Sequence, residues 1–232
     1  IYKAAELAKQ LGYPKISIIE FGVAGGNGLL NIEHHIEIIK RELGIDFEVY
    51  GFDLETGLPK SDDYRDQLYL YPETAFKMDR EKLESYLKFS KLVIGNVSET
   101  TSSFFKTYNP APVGCILFDL DYYTSTKQSF RIFQADHDHY LPRVHCYFDD
   151  ITYTNEFMGE LCAIKEFNRE NEYKKLANPY LFEITDPHIL GGKIFIYHDF
   201  KHPDYNKNIR GVRHLPLSER KDLSNGSAHS KK

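Results

Sequence analysis

The fold of this chain is decided by the stretch Lys15-Ile-Ser-Ile-Ile-Glu-Phe-Gly-Val-Ala-Gly-Gly-Asn-Gly28. The stretch opens with alternating and then continuous apolar residues, which is typical of a buried β-strand. It closes in a run of small residues, and a helical pattern follows from Leu29. The order of strand, glycine-rich turn and helix predicts the first unit of an α/β fold of the nucleotide-binding type.

A carboxylate and several glycines surround this turn. Glu20 lies at the end of the predicted strand, where its side chain would face whatever lies on the turn. The glycines let the backbone bend sharply and let a ligand approach it closely. The helix that follows would present free N–H groups to the same ligand. An ordinary tight connection between a strand and a helix explains the same residues without a ligand.

The spacing of the glycines separates two kinds of ligand. A dinucleotide fingerprint reads G-x-G-x-x-G, and here only Gly26-Asn-Gly28 opens such a motif. The pattern E-x-G-x-x-G-G instead resembles motif I of the class I methyltransferases that use S-adenosylmethionine (SAM), in which the turn wraps the amino-acid end of SAM. This resemblance implies cofactor contacts from Glu20, Gly22, Ala24, Gly25 and Gly26.

The composition of the chain narrows the function classes. Of the 232 residues, 41% are hydrophobic and 27% are charged, which is ordinary for a soluble globular protein. The net charge of −5 gives no basic surface for nucleic acid. No apolar run reaches membrane-spanning length, and no signal-peptide pattern opens the chain. We therefore expect a cytoplasmic protein without nucleic-acid or membrane partners, and the sequence leaves a homo-oligomer open.

Strand and helix patterns alternate along most of the chain. The predicted strands cover 15–23, 48–53, 91–95, 113–119, 144–149, 180–185 and 193–200. Alternation of this kind predicts a Rossmann-like α/β fold with a seven-stranded, mostly parallel sheet, helices on both faces and a closing antiparallel hairpin. We expect a single domain over 1–200 and a polar, loosely ordered tail over 201–232. The connection over 54–79 is long enough to indicate a functional or mobile segment.

Acidic residues follow the predicted strands at the edge where ligands bind in such sheets. They are Glu20, Asp53, Asp119, Asp121, Asp149 and Asp150. One strand-end aspartate is commonly a cap or a turn residue, but five or more carboxylates at one edge would repel one another. The same segments hold almost no Lys or Arg. This shortage indicates that a bound ligand or metal supplies the positive charge.

The carboxylates divide into two groups with different expected ligands. Asp53, at the end of the second strand, is placed to accept hydrogen bonds from ribose hydroxyls. The four aspartates after the fourth and fifth strands offer the oxygen ligands that a hard divalent cation prefers, Mg²⁺ above all.

Four further motifs make the resemblance specific. They are Gly51-Phe-Asp53-x-x-x-Gly57-Leu-Pro59, Asn96-Val-Ser-Glu-Thr100, Asp119-Leu-Asp121-Tyr-Tyr-Thr-Ser-Thr126 and Phe148-Asp149-Asp150. In order and spacing they resemble the macrocin O-methyltransferase family, class I SAM enzymes that act on hydroxyls of sugars and aromatic rings in natural products. The resemblance runs from about 15 to 200, and the Asp-x-Asp-x-Tyr-x-Ser-Thr element and the Asp-Asp pair are its specific parts.

This resemblance implies a role for each aspartate. Asp119, Asp149 and Asp150 would hold Mg²⁺ or Mn²⁺, with Asp119 also facing SAM, and Asp121 would be the base. Asn96 stands where many relatives carry an Asp that touches the adenine amino group, and an amide oxygen can accept the same hydrogen bond. The methyl acceptor would be a small-molecule hydroxyl of the sugar or phenolic type.

Two other functions remain open from the sequence. A dinucleotide-dependent oxidoreductase would explain Asp53, but it gives no use for four carboxylates on the fourth and fifth strands. A catalytically silent SAM-binding protein would keep the glycine turn without the chemistry, and the retained metal-type carboxylates argue against it. The sequence therefore predicts a metal-assisted O-methyltransferase ahead of both.

Overall fold

Strands and helices alternate along the chain in a computed structural model that describes residues 1–179 and 190–209. The helices are α1 (Tyr2–Leu11), α2 (Asn27–Leu43), α3 (Arg80–Tyr86), α4 (Val97–Tyr108), α5 (Tyr123–Ser129) and α6 (Gly159–Glu170). The strands are β1 (Lys15–Phe21), β2 (Asp46–Asp53), β3 (Lys91–Ile94), β4 (Val113–Phe118), β5 (Tyr140–Phe148), β6 (Lys174–Ala177) and β7 (Ile194–Asp199).

The seven strands form one sheet in the order β3-β2-β1-β4-β5-β7-β6. The first five in space are parallel, and β7 is antiparallel to both of its neighbours, β5 and β6. This arrangement confirms the predicted Rossmann-like class I methyltransferase fold with its closing antiparallel pair. The strand predicted over 180–185 lies outside the described residues, and the strand that pairs with β7 is Lys174–Ala177, whose short polar sequence gives no strand pattern.

Both faces of the sheet are buried under helices. Along β1, Ile16 and Ile18 join the core that includes α1, α2 and α3, while Ile19 and Phe21 join the core that includes α4, α5 and α6. Successive side chains of a strand point to opposite faces, so a strand covered on both sides reads as an apolar run. The three cysteines, Cys115, Cys146 and Cys162, are buried and unpaired.

A row of four phenylalanines crosses the sheet near its carboxyl edge. Phe52, Phe21, Phe118 and Phe148 occupy matching register positions on β2, β1, β4 and β5. Their ring centroids are 4.7, 5.4 and 4.5 Å apart in that order. Each is followed directly by a residue predicted at the site, namely Asp53, Gly22, Asp119 and Asp149. The row therefore brings these four residues to one edge.

The segment after β7 packs onto the body of the protein over its described part. Arg143 donates a hydrogen bond to the carbonyl of Tyr205 at 2.8 Å, and the Tyr13 hydroxyl donates to Asp204 at 3.0 Å. Residues 201–209 of the predicted tail are thus held by partners on β5 and near α1, and 210–232 lie outside the described residues. Within the part of the chain that the structure describes, no helix is both long and apolar enough to cross a membrane.

We expect the substitution Gly22→Ala to destabilise the protein strongly. Gly22 has a φ of +87°, and an added Cβ would lie 1.7 Å from the backbone oxygen of Asp119. Overpacking of a buried site costs about 1–3 kcal/mol, and the left-handed backbone adds to this cost. Chemical denaturation measures the loss.

Gly25→Ala in the same turn is the matched control, because its Cβ would meet no atom within 4 Å. Equal free energies of unfolding for Gly22→Ala and the wild type would contradict the close approach of the turn to β4.

Candidate functional site

A cleft of about 530 Å³ lies at the carboxyl edge of β1, β2, β4 and β5. Its volume falls within the range of about 300–1,000 Å³ that is usual for small-molecule sites. The predicted site residues that line it are Gly22, Ala24, Asp53, Asn96, Asp119, Asp121, Asp149 and Asp150. Glu20, Gly25 and Gly26 belong to the same turn without lining the cleft. The structure thus brings most of the predicted residues into one space.

The Asp53 carboxylate holds the glycine turn in place. Its Oδ2 accepts hydrogen bonds from the backbone N–H groups of Val23 and Ala24, both at 2.9 Å. Its Oδ1 accepts one from the N–H of Glu55 at 2.6 Å. Each carboxylate oxygen has about two acceptor sites, so Oδ1 retains one for a ligand in the cleft. Asp53 therefore braces the turn and can still accept a hydroxyl group.

Glu20 lies beneath the turn, at the beginning of α2. Its carboxyl occupies the space that a side chain on Gly28 would need, since a Cβ there would lie 1.6 Å from Oε1. The side chain is 5% exposed. Burial, followed by the charges of Asp119 and Asp53, raises the pKa of Glu20 to about 8. Glu20 thus touches the start of the helix rather than the open cleft.

Asn96 caps a helix and also lines the cleft. Its Oδ1 accepts hydrogen bonds from the backbone N–H and the hydroxyl of Ser98, at 2.9 and 2.7 Å. These two bonds fill the acceptor sites of the amide oxygen that was expected to receive the adenine amino group. The amide –NH₂ group of Asn96 is left to face a ligand.

Three aspartates converge beyond the Phe row. One carboxylate oxygen of each of Asp119, Asp121 and Asp150 lies within 4.8 Å of the others. Among the residues described, this is the one group of three or more His, Cys, Asp or Glu side chains close enough to share a metal ion. Asp119 is open to the cleft, whereas Asp121 and Asp150 are buried. The arrangement suits a divalent cation with oxygen ligands.

Burial and mutual repulsion disfavour the charged forms of these carboxyls. Burial, followed by the charges of Asp150 and Asp149, raises the pKa of Asp119 to about 7, and Lys193 opposes the rise. Burial and the charges of Asp150 and Asp119 raise the pKa of Asp121 as well. Burial also raises the pKa of Asp150, against a hydrogen bond from Tyr71. A cation would relieve this cost.

Asp149 lines the cleft beside the cluster of three aspartates, but its carboxylate is bound to other side chains. Its Oδ1 receives the Lys193 ammonium at 3.1 Å and the Tyr147 hydroxyl at 2.7 Å. The sequence predicts almost no Lys or Arg beside the aspartates, and the structure adds one. This residue is Lys193, which is distant in sequence and lies in the turn before β7. The structure groups Asp121, rather than Asp149, most tightly with Asp119 and Asp150.

The sequence offers Tyr71, with Tyr69 and Phe76, as a residue that could line a substrate lid or pack on the sheet edge, but it predicts neither the contact of Tyr71 with Asp150 nor the presence of Glu160 at this site. Tyr71, in the long connection, donates its hydroxyl to Oδ1 of Asp150 at 2.9 Å and lines the cleft. Glu160 opens α6 and is fully buried; burial, followed by the charges of Asp150 and Asp119, raises its pKa well above the ordinary value. A carboxylate at the start of a helix reads as a surface residue, so the sequence carried no signal for this one.

The long connection is docked on the start of α5. Asp66, fully buried, accepts hydrogen bonds from the N–H and the hydroxyl of Thr124 at 2.8 and 2.7 Å. The Arg65 guanidinium donates to the Tyr123 hydroxyl at 2.9 Å and lies 3.9 Å from its ring centroid. These contacts lie just beyond Asp121, so the connection forms a fixed wall of the cleft.

Two solved structures with a similar fold are methyltransferases. A crystal structure of the calicheamicin methyltransferase CalS11 matches with a TM-score of 0.55 and 20% identity, over 86% of this chain and 77% of that one. The O-methyltransferase NovP matches with a TM-score of 0.53 and 14% identity, over 85% and 79%. The chain has the class I methyltransferase fold. No protein-family model and no curated protein matches the sequence.

The raised pKa values predict that the metal-free methyltransferase fold loses stability as the pH rises from 6.5 to 8. Glu20 and Asp119 titrate near 8 and near 7 in the folded state, so in this window the folded protein holds protons that the unfolded chain has released. The free energy of unfolding then falls as the pH rises, by roughly 1–2 kcal/mol, and most of this fall comes from the buried Glu20 because the exposed Asp119 is screened by solvent. Burial lowers the pKa of His145 to about 4, so this group opposes the trend, mainly below and just above its unfolded value of 6.5.

Denaturation with a chelator present at both pH values measures this fall. Glu20→Gln and Asp119→Asn should each flatten it. Asp46→Asn is the control, because the Asp46 carboxylate is exposed and paired with Lys40, which lowers its pKa. A wild-type protein that gains stability from pH 6.5 to 8 would contradict the prediction.

Proposed function

We propose that this protein is a SAM-dependent, divalent-metal-assisted O-methyltransferase that acts on a hydroxyl group of a small molecule. One observation carries the proposal: the Asp119, Asp121 and Asp150 carboxylates converge within 4.8 Å in the same cleft as the glycine turn. A methyltransferase needs a place for its cofactor and a way to deprotonate the acceptor. The two lie side by side here.

The cofactor part of the proposal rests on the turn and on Asp53. The turn presents backbone to the cleft at Gly22 and Ala24, and Oδ1 of Asp53 has an acceptor site left for a ribose hydroxyl. SAM would supply a methyl group on a sulfonium. A dinucleotide would use the same Asp53, but it would leave the neighbouring cluster of aspartates without a role, and this difference favours SAM.

The metal part of the proposal rests on the donor atoms. No donor group of the described residues reaches Oδ2 of Asp150, which is buried. Both contacts of Asp149 go to its Oδ1. Carboxylate oxygens are what Mg²⁺ and Mn²⁺ prefer, so Asp119, Asp149 and Asp150 are the proposed ligands. A bound ion would lower the pKa of the acceptor hydroxyl and fix its direction.

Asp121 is the proposed general base. It is buried beside Asp119 and Asp150, so it lies next to the proposed ligands. The same burial raises its pKa, which moves the carboxylate toward the range in which a base works at neutral pH. Its backbone is held at a φ of +58°, which is an unusual conformation for a residue other than glycine. Strain of this kind clusters at functional sites.

The wall of the cleft indicates what kind of acceptor fits. Leu70, Phe76 and Tyr153 line it and are 48%, 55% and 64% exposed. Exposed apolar side chains beside polar groups mark a ligand surface. The proposed acceptor is therefore a small molecule that presents a hydroxyl to the aspartates and a sugar or aromatic ring to this wall.

Calorimetric titration tests the cofactor. SAM and S-adenosylhomocysteine should bind without metal, and NAD and NADP should not. Asp53→Ala should weaken binding by at least about fivefold to about a hundredfold, because a ribose hydroxyl loses its acceptor at a cost of about 1–3 kcal/mol and the turn also loses its brace. Asp46→Ala, at the exposed start of the same strand, is the control. Binding of NAD without binding of SAM would overturn the proposed function.

Thermal unfolding tests the metal and the base together. Millimolar Mg²⁺ should raise the melting temperature of the wild type, and Asp150→Asn should remove the rise. Asp121→Asn should keep it, because a base need not be a ligand. Once a methyl acceptor is identified, the turnover number of Asp121→Asn should be about 10²–10⁴ times lower than that of the wild type. Loss of the Mg²⁺ effect in Asp121→Asn would make Asp121 a ligand and leave no base.

A further inference from the structure

Tyr71 connects the long segment between β2 and α3 to the aspartate cluster. Its hydroxyl donates a hydrogen bond to Oδ1 of Asp150 at 2.9 Å, and its side chain lines the cleft. Among the described residues, Tyr71 is the one tyrosine, serine, threonine or lysine whose side chain donates a hydrogen bond to this carboxylate. The hydroxyl of Tyr71 therefore anchors Oδ1 of Asp150 from the long segment, and a backbone hydrogen bond from Asp121 also stabilises this carboxylate.

The backbone of Tyr71 is itself fixed. Its carbonyl accepts a hydrogen bond from the hydroxyl of Tyr122 at 2.9 Å, and Tyr122 is fully buried. Its N–H donates to the carbonyl of Gln67 at 3.2 Å. The buried Gln67 is held in turn by the carbonyl of Tyr153 at 3.0 Å. These hydrogen bonds fix the backbone of Tyr71, so the position of its ring does not depend on its own hydroxyl.

The two oxygens of Asp150 consequently differ. Oδ1 is engaged by Tyr71, and Oδ2 is buried without a donor in the described part of the chain. Without the bond to Tyr71 this carboxylate would lose its tyrosine donor, and the charges of Asp119 and Asp121 would favour its rotation away from them. The hydrogen bond from Tyr71 prevents this rotation and keeps Oδ2 with the other two carboxylates.

We propose that Tyr71 is a positioning residue, which orients the Asp150 carboxylate so that Oδ2 can bind a divalent cation. This inference rests on the metal site of the proposed function and adds to it a residue outside the aspartate motifs. Groups that hydrogen-bond to metal ligands typically contribute about 10–100-fold to metal affinity. Tyr71 acts through Asp150 and does not touch the reacting atoms in this role.

The test is the affinity of the cofactor-free protein for Mn²⁺, measured by the loss of the free-ion signal in electron paramagnetic resonance. Tyr71→Phe keeps the ring and both backbone hydrogen bonds and removes only the donor. We expect it to weaken Mn²⁺ binding by about 10–100-fold. Its melting temperature without metal should stay close to that of the wild type.

Tyr69→Phe is the matched control. Tyr69 belongs to the same segment, and its hydroxyl contacts the side chains of Gln67 and Met158 rather than a carboxylate. This variant should bind Mn²⁺ as the wild type does. Asp150→Asn serves as the reference for a lost ligand and should bind at least as weakly as Tyr71→Phe.

The outcomes separate the inference from the function on which it rests. Equal Mn²⁺ affinity of Tyr71→Phe and the wild type overturns the role of Tyr71 and leaves the metal site standing. Equal losses in Tyr71→Phe and Tyr69→Phe, together with lower melting temperatures, also overturn it, because the segment then acts only through its packing. If the wild type binds no Mn²⁺, the proposed metal site is wrong, and the inference about Tyr71 fails with it.

Discussion

The register of four parallel strands is the constraint on which the whole site depends. Phe52, Phe21, Phe118 and Phe148 pack side by side across the sheet, and the residues after Phe21, Phe118 and Phe148 form the last backbone hydrogen bonds between these strands. The N–H groups of Gly22, Asp119 and Asp149 donate to the carbonyls of phenylalanines on the neighbouring strands, at 2.9, 2.9 and 3.0 Å. A slip of one residue would exchange the two faces of a strand and withdraw its site residue from the edge. The same strand register therefore fixes both the packing of the core and the positions of the site residues.

The site gathers like charges at a cost that the rest of the fold must offset. Burial and the neighbouring charges raise the pKa values of Asp119, Asp121 and Asp150, and the described residues provide one close ammonium, that of Lys193. The docked connection limits the cost by donating hydrogen bonds, from Tyr71 to Asp150 above all. A site that is unfavourable when empty gains most from a cation, because binding removes the repulsion as well as forming new contacts.

The sequence predicted the parts of the site that follow regular strands, and it failed where the chain is irregular. Asp53 and Asp119 were placed correctly at the cleft because period and turn residues locate strand ends. Tyr71 could be named as a possible lining residue, but its hydrogen bond to Asp150 could not be predicted, because nothing in an irregular connection indicates which way a side chain points. The pairing of Lys193 with Asp149 joins residues far apart in sequence, and only the sheet order brings them together. Roles that need an ion or a cofactor stay predictions.

The sheet also bears on how the protein behaves at high concentration. Its outermost described strands, β3 and β6, have four residues each, and they begin with Lys91 and with Lys174-Lys175. A free strand edge is a template for pairing with another chain, and short length and lysine side chains are the usual protection against this. The long apolar strands that carry the Phe row lie inside the sheet. The segments most prone to aggregate are thus kept away from the edges where fibre growth would begin.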